Sequence, residues 1–323
     1  MGQIVLKLAK KHGEKKQEAN ENISLGNDCR LNNQLHTAIA HYTKALEIAK
    51  EHEYKQQETA ALFGLGHAYN LNNQFQMAIE HYKKALEITK EHEYKQQETK
   101  ILISLGHVYG RNNQFQTAIE HYEKALEMAK QHEYKQQETQ ALVMLGDAYR
   151  WNNQFQMAIE HYEKALEIAK EHEYREHETE ALVGLGHVHR RNNQFQTALE
   201  HYEKALEIAK KHEYKQQETR ALVGLGHAHR ANCQFQMAIE HYKRALEISK
   251  KHEYKKLETE VLVGLGDVYT LNNQSQNAIE LYKRASEIPK ENDYKRTGVL
   301  IWLGDDIPET ISLKQQLNTM RKV

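Results

Sequence analysis

The stretch Asn72–Tyr82, NNQFQMAIEHY, decides the fold because the chain writes it again and again. Near-copies begin at Asn112, Asn152, Asn192, Asn232 and Asn272, and an earlier one, NNQLHTAIAHY, begins at Asn32. The spacing is 40 residues every time. A fixed period of this length is the mark of a solenoid, in which each unit buries its apolar face against its neighbours. All 18 tyrosines obey it: seven from Tyr42 to Tyr282, seven from Tyr54 to Tyr294, and Tyr69, Tyr109, Tyr149 and Tyr269. The 323 residues therefore form one array, not two domains, with little sequence left for a separate catalytic domain.

Around the quoted stretch, one unit reads ETAALFGLGHAYNLNNQFQMAIEHYKKALEITKEHEYKQQ. Leu62, Leu65, Gly66 and Tyr69 fall at i, i+3, i+4 and i+7, one face of a helix running from about 56 to 71. Asn73 suits the left-handed turn that stops it. A second helix runs from about 74 to 91, with Ala78, Tyr82, Ala85, Leu86 and Thr89 along one side. Gly66 and Ala78 read as small residues at a close helix approach. His-Glu-Tyr-Lys (52–55 and its copies) must make the turn between units, with the tyrosine folded back onto the array. Short connections force antiparallel neighbours, and the fold class is all-α: a right-handed superhelical solenoid of helix pairs.

The ends differ from the middle. Residues 1–18 align with a second helix and its following turn, an N-terminal half-repeat that leaves Ile4, Val5, Leu6 and Leu8 without a preceding helix. Seven repeats fill 19–297, and 298–323, with Pro308 at a plausible first helical position, reads as a C-terminal cap. Inside the array Ala68, Ala148 and Ala228 go with Met77, Met157 and Met237, while Val108 and Val188 go with Thr117 and Thr197. Either the two positions compensate in volume across the hairpin, or a two-unit block was duplicated.

Seven of these residues, Leu62, Leu65, Gly66, Tyr69, Ala78, Tyr82 and Ala85, together resemble the tetratricopeptide repeat signature. The family's period is 34. The longer unit here, with SLGN at Ser24–Asn27, is similar to the Leu-Gly-Asn (LGN/Pins) polarity adaptors and G-protein-signalling modulators. The Gly-Asp usual in that group's inter-unit turn is represented only by Gly13-Glu14. The resemblance implies a non-catalytic adaptor whose first helices line a concave groove that binds a peptide. The groove registers are then those of Ala60, Phe63, His67, Asn70 and Leu71, where the units differ most. The candidate groove residues are His67, Lys100, His107, Arg111, Asp147, Arg150, Trp151, His187, Arg190, Arg191, Arg220, His227 and Arg230. Five arginines (Arg111, Arg150, Arg190, Arg191, Arg230) make its centre basic and fit an acidic or phosphorylated segment, because guanidinium forks grip such groups. Trp151 would anchor it. The competing reading is a solvated inner face whose arginines pair with Asp147, Glu180 and Asp267. The carboxylate clamp of chaperone-binding members is a poor match, since the groove asparagine becomes His or Asp in all but the first full unit.

Charge and chemistry narrow the classes. With 44 basic and 45 acidic residues there is no global field for nucleic acid or an anionic membrane. Single-stranded RNA, read one base per unit, would need regular base-reading residues, and the groove alternates in sign. Cys29 and Cys233 lie five repeats apart, so no disulfide is expected, in keeping with a reducing, cytoplasmic setting. The N-terminal apolar run is broken by Lys7, and Leu6 stands where a myristoylation signal wants Ser or Thr. No phosphate loop, nucleophile constellation or HExxH motif appears, so no enzyme, cofactor or metal is expected. The 21 histidines invite a pH response instead. Two other classes fit the residues: a structural solenoid assembling end to end through its N-terminal half-repeat, and the sensing or regulatory fragment of a larger protein.

Overall fold

A computed structural model describes the backbone of residues 2–288 and the side chains of residues 13–288. The C-terminal cap read at 298–323 and the half-repeat's Ile4, Val5, Leu6 and Leu8 side chains lie outside the described residues.

The described chain is helical from end to end. It opens with α1 (Gly2–Leu31), α2 (Leu35–Glu51), α3 (Lys55–Leu71) and α4 (Phe75–Glu91). The centre holds α5 (Lys95–Arg111), α6 (Phe115–Gln131), α7 (Lys135–Trp151), α8 (Phe155–Glu171) and α9 (Arg175–Arg191). It continues with α10 (Phe195–Lys211), α11 (Lys215–Ala231), α12 (Phe235–Lys251), α13 (Lys255–Leu271) and α14 (Ser275–Glu287). The expected helix pair of each unit is therefore present, within a residue of its expected bounds.

Both kinds of turn use one device. Asn73 takes φ 54° and Glu93 φ 57°, and every later turn repeats the left-handed residue. The Gln74 N–H donates to the Tyr69 carbonyl at 2.9 Å and the Asn73 N–H to that of Asn70 at 3.0 Å. That pair is a Schellman motif, which satisfies carbonyls a helix end leaves orphaned. The Tyr94 and Glu93 N–H groups do the same for Thr89 and Lys90. Asparagine tolerates this conformation; glutamate has no such aptitude. The inter-unit turn holds because its tyrosine folds back, as expected: Tyr54 is buried, and its ring stacks on His52 at 5.5 Å.

The N-terminal copy of that turn does not form. Helix α1 runs straight through Gly13-Glu14 for 30 residues. Glu14, exposed to solvent, stands in the place of the buried Tyr54, so no aromatic ring draws the chain back.

The curvature follows from the packing. Each odd-numbered helix touches the next odd-numbered one, whereas no even-numbered helix among the described residues touches the next even-numbered one. The odd helices thus lie on the inner, concave side, and their outward-pointing stripe lines it.

What fixes each pair is a tyrosine seated on glycine. Tyr82, Tyr162, Tyr202 and Tyr242 are completely buried. A Cβ on Gly146 would stand 2.6 Å from the Tyr162 ring, and one on Gly184, in the next unit, 2.4 Å from the same ring. Gly186 and Gly224 hold Tyr202 in the same way. The glycine expected to admit a neighbouring helix instead admits a ring, which then locks unit to unit. Ala78 does sit in the core as expected, fully buried. The paired alternation at Ala68 and Met77 does not pack across the hairpin. Ala68 is fully buried, but Met77, Met157 and Met237 are 39–44% exposed. A side chain in solvent has no volume to conserve, which leaves the duplicated block as the explanation.

Candidate inner-face site

The inner stripe begins from the register of His67, fifteen residues before the hairpin tyrosine. Tyr162 donates to Asp147 Oδ1 at 2.7 Å and Tyr282 to Asp267 Oδ1 at 2.8 Å. Tyr202 bonds His187 Nδ1 at 2.8 Å, Tyr242 bonds His227 Nδ1 at 2.7 Å, and Tyr42 donates to Asn27 Oδ1 at 2.7 Å. The residues placed here by sequence as ligand contacts are thus the polar partners of buried hydroxyls, a requirement of burial. His67 differs: its ring meets Phe63 and Tyr82 edge-on, at 4.4 and 5.6 Å.

These imidazoles are held neutral. Burial pushes His67 down to about 3 and His227 to about 4, the latter against the pull of Glu260, whose carboxylate lies 3.5 Å from Nε2. His107 is exposed, yet the surrounding wall, then Arg111, Lys256 and Arg220, bring it to about 4 against Asp147. Lys256, on the helix pair four units on, is among the charges that lower it.

The five central arginines separate into bound and unbound. Arg111 is a clamp: Nη1 donates to the Asn70 carbonyl at 2.6 Å and to Asn70 Oδ1 at 2.9 Å, and Nη2 donates to Asn73 Oδ1. Its guanidinium also covers the Phe75 ring at 5.1 Å, so it pins the preceding unit's turn. Arg150 donates to Asp147 Oδ1 at 2.8 Å and to the Tyr162 hydroxyl at 3.4 Å, and stacks on Trp151 at 4.5 Å. Arg230 pairs with Asp267 of the next unit. For Arg111, Arg150 and Arg230 the basic-groove expectation gives way to structural pairing, partly with the two aspartates the competing reading named. Arg190 and Arg191 make no ion pair among the described residues, and neither do Lys100 and Arg220. Lys100, Arg191 and Arg220 are exposed, and Trp151, at 56% exposure, projects from the end of α7.

Two further corrections concern registers. The position of Phe63 is core elsewhere: Ile103, Val143, Val183, Val223 and Val263 are all buried. The inner face is therefore one register narrower than the five the resemblance implies. It is also one turn longer, because Glu176 and Lys256 continue the stripe at i−4 from Glu180 and Glu260 and are exposed. The i−4 spacing was the available signal. Burial raises the Glu180 carboxyl to about 7 despite Arg220, which halves its negative charge near neutral pH. Among the described residues no group of three His, Cys, Asp or Glu is placed to hold a metal, and no helix is long and apolar enough to cross a membrane.

Comparison with known proteins agrees with this architecture. The apo form of RapI superposes with a TM-score of 0.70 at 19% identity, over 85% of this chain and 98% of that one. Aspartyl phosphate phosphatase F from Bacillus subtilis gives 0.68 at 18% identity, over 90% of this chain and 75% of that one. The Rap conjugation gene regulator of plasmid pLS20, solved with the Phr* peptide, gives 0.63 at 17% identity, over 88% and 74%. At such identities the likeness speaks for the fold alone. No curated protein sequence matches the chain. The tetratricopeptide repeat profile, however, matches residues 17–91, 58–131, 137–211 and 217–291. A helix pair closed by Schellman turns, a tyrosine on glycine in each, and a profile covering most of the array leave one assignment: the chain belongs to the tetratricopeptide repeat family.

Proposed function

We propose that this chain is a non-catalytic protein-interaction scaffold that holds a peptide segment of a partner against its concave face. The segment carries acidic side chains or phosphates. The observation that carries this reading is where the units differ. The hairpin tyrosines, glycines and turns repeat almost unchanged, while the inner stripe varies from unit to unit and carries exposed Lys100, Arg191, Arg220 and Lys256 together with Trp151. A stripe that needed only to pack would have no reason to vary. Arginines without an ion pair and an exposed tryptophan are the groups that supply most energy in peptide interfaces. A similar structure, the pLS20 regulator, was solved with a peptide bound. The narrower likeness to the Leu-Gly-Asn adaptors rests on Ser24–Asn27 and the Leu-Gly register, and no partner is carried over from it.

The test is panning of a displayed random-peptide library on the full chain. Enriched peptides should carry Asp or Glu, and should lose at least about tenfold in affinity, ~1.4 kcal/mol, to the Arg191→Glu/Arg220→Glu variant. The outer-face variant Lys204→Glu/Lys243→Glu should bind them as the parent does. Peptides indifferent to the inner-face change would move the site elsewhere, and a library that yields no binder would sink the scaffold reading.

A further inference from the structure

Arg30, Arg150, Arg190 and Arg230 occupy the same place in their units, three residues after the register that bonds the hairpin tyrosine. The structure offers an arginine at this place two carboxylate positions. One is three residues earlier on its own helix, where Arg150 finds Asp147 at 2.8 Å. The other is 37 residues later on the next unit, where Arg230 finds Asp267.

Arg190 finds neither. Its two positions are His187 and His227, and each already bonds its own tyrosine, at 2.8 and 2.7 Å. The carboxylate of Glu260 lies on the far nitrogen of His227, at 3.5 Å. Arg190 makes no ion pair among the described residues, and its Nε is buried without a hydrogen-bond partner. Arg30 faces Asn27 and His67 at the same two positions and has the same orphaned Nε. Among the described residues these are the arginines with a buried, unpartnered Nε, and they are the pair whose registers hold no acid. A buried guanidinium N–H left unpaired carries the cost of its lost hydration. Arg220 on the next unit is exposed and without an ion pair, and its charge, like that of Arg190, holds His187 below the usual imidazole range after burial. The Tyr202 hydroxyl stands against the guanidinium, but with imidazoles at both acid positions no carboxylate forms an ion pair with it.

We propose that Arg190 is the seat of an oxyanion of the bound segment, a carboxylate or a phosphate monoester. The Nε–H and one Nη–H would form the fork, with Arg220 closing from the next unit. This rests on the inner-face reading, which it deepens by naming the central arginine whose buried Nε the fold leaves without a partner.

The probes are inorganic phosphate and, separately, acetate, each against sodium chloride at equal ionic strength. The readout is the Nε–H resonance of Arg190 in the full chain, assigned by its disappearance in Arg190→Lys. Saturable shift with both anions supports a general oxyanion seat. Saturation with phosphate alone, or acetate alone, supports it and names the source. Arg190→Lys keeps the charge but not the fork, and should weaken saturation by roughly tenfold, as followed by the thermal midpoint. Arg244→Gln on α12 should not change it. A midpoint that rises equally in parent and Arg190→Lys is a bulk salt effect and overturns the proposal, as does an unshifted resonance. The peptide panning separates the two failures. Binders indifferent to Arg190→Lys sink this seat and leave the scaffold standing; an Arg190-dependent anion site without any peptide binder does the reverse.

Discussion

Alanine in place of glycine should have opposite effects at two helical positions of this protein. At Gly110, in the last turn of α5, an added Cβ meets only Ala118 Cβ at 3.8 Å, an ordinary contact. Gly110→Ala should therefore stabilise, up to the propensity difference of about 1 kcal/mol. At Gly184 the same Cβ falls 2.4 Å from Tyr162 Cε1 and Cζ. That ring is fully buried and is held from the other side by Gly146, so it has no room to retreat. Overpacking of this kind costs about 1–3 kcal/mol. Against the propensity gain, Gly184→Ala should be net destabilising by about 1–2 kcal/mol. An array unfolds by neighbouring units and not always as one. The measurement is therefore urea unfolding by circular dichroism, joined to hydrogen exchange over α7 to α9. In the double variant Gly184→Ala/Tyr162→Leu the clash should vanish, giving a coupling of about 1 kcal/mol or more. If Gly184→Ala stabilises as much as Gly110→Ala, the tyrosine-on-glycine lock is wrong.

Three other outcomes follow from named contacts. Glu133 holds φ 56° in an inter-unit turn, so Glu133→Gly should raise stability by about 0.5–1 kcal/mol, read as a higher urea midpoint; a lower midpoint would show that the glutamate is needed there. Asp267→Ala leaves Arg230 and the Tyr282 hydroxyl without their shared partner and should cost about 3–5 kcal/mol, loosening α13 and α14 first in hydrogen exchange; uniform protection would refute that. His227 is neutral when folded, at about 4, and near 6.5 when unfolded. Its contribution is complete above pH 6.5 and is lost as pH falls towards 4. Between pH 6.5 and 5 the loss is about 1.5 kcal/mol, the slope reaching ~1.4 kcal/mol per pH unit only below the unfolded value, and His227→Gln should flatten the pH dependence of the urea midpoint in that window.

Fold class was legible in the sequence because a solenoid writes its own contacts. When every unit meets an identical neighbour, Leu62, Tyr82 and the asparagine turn at Asn73 need only be recognised once. Helical periodicity then fixes most of the buried face, the Phe63 register excepted; the asparagine turn follows from local backbone chemistry, and the inter-unit turn from its tyrosine. The straight run of α1 through Gly13 was not legible, since a missing tyrosine contact is visible only where the ring would have landed. Nor was the division among the arginines. In sequence Arg150, Arg190 and Arg230 are the same residue in the same register. What separates them is the residue three positions back and the one 37 positions on, met only after the units stack: Asp147 for the first, Asp267 for the third, and histidines already bonded to tyrosine for the second. The sequence by itself determined the array, its period and the face that varies, because those depend on contacts repeated within and between like units. Tertiary structure alone decided which charges of that face are spent on the fold and which remain without an ion pair. Charge pairing falls off within a few ångströms, and the superhelix sets those distances.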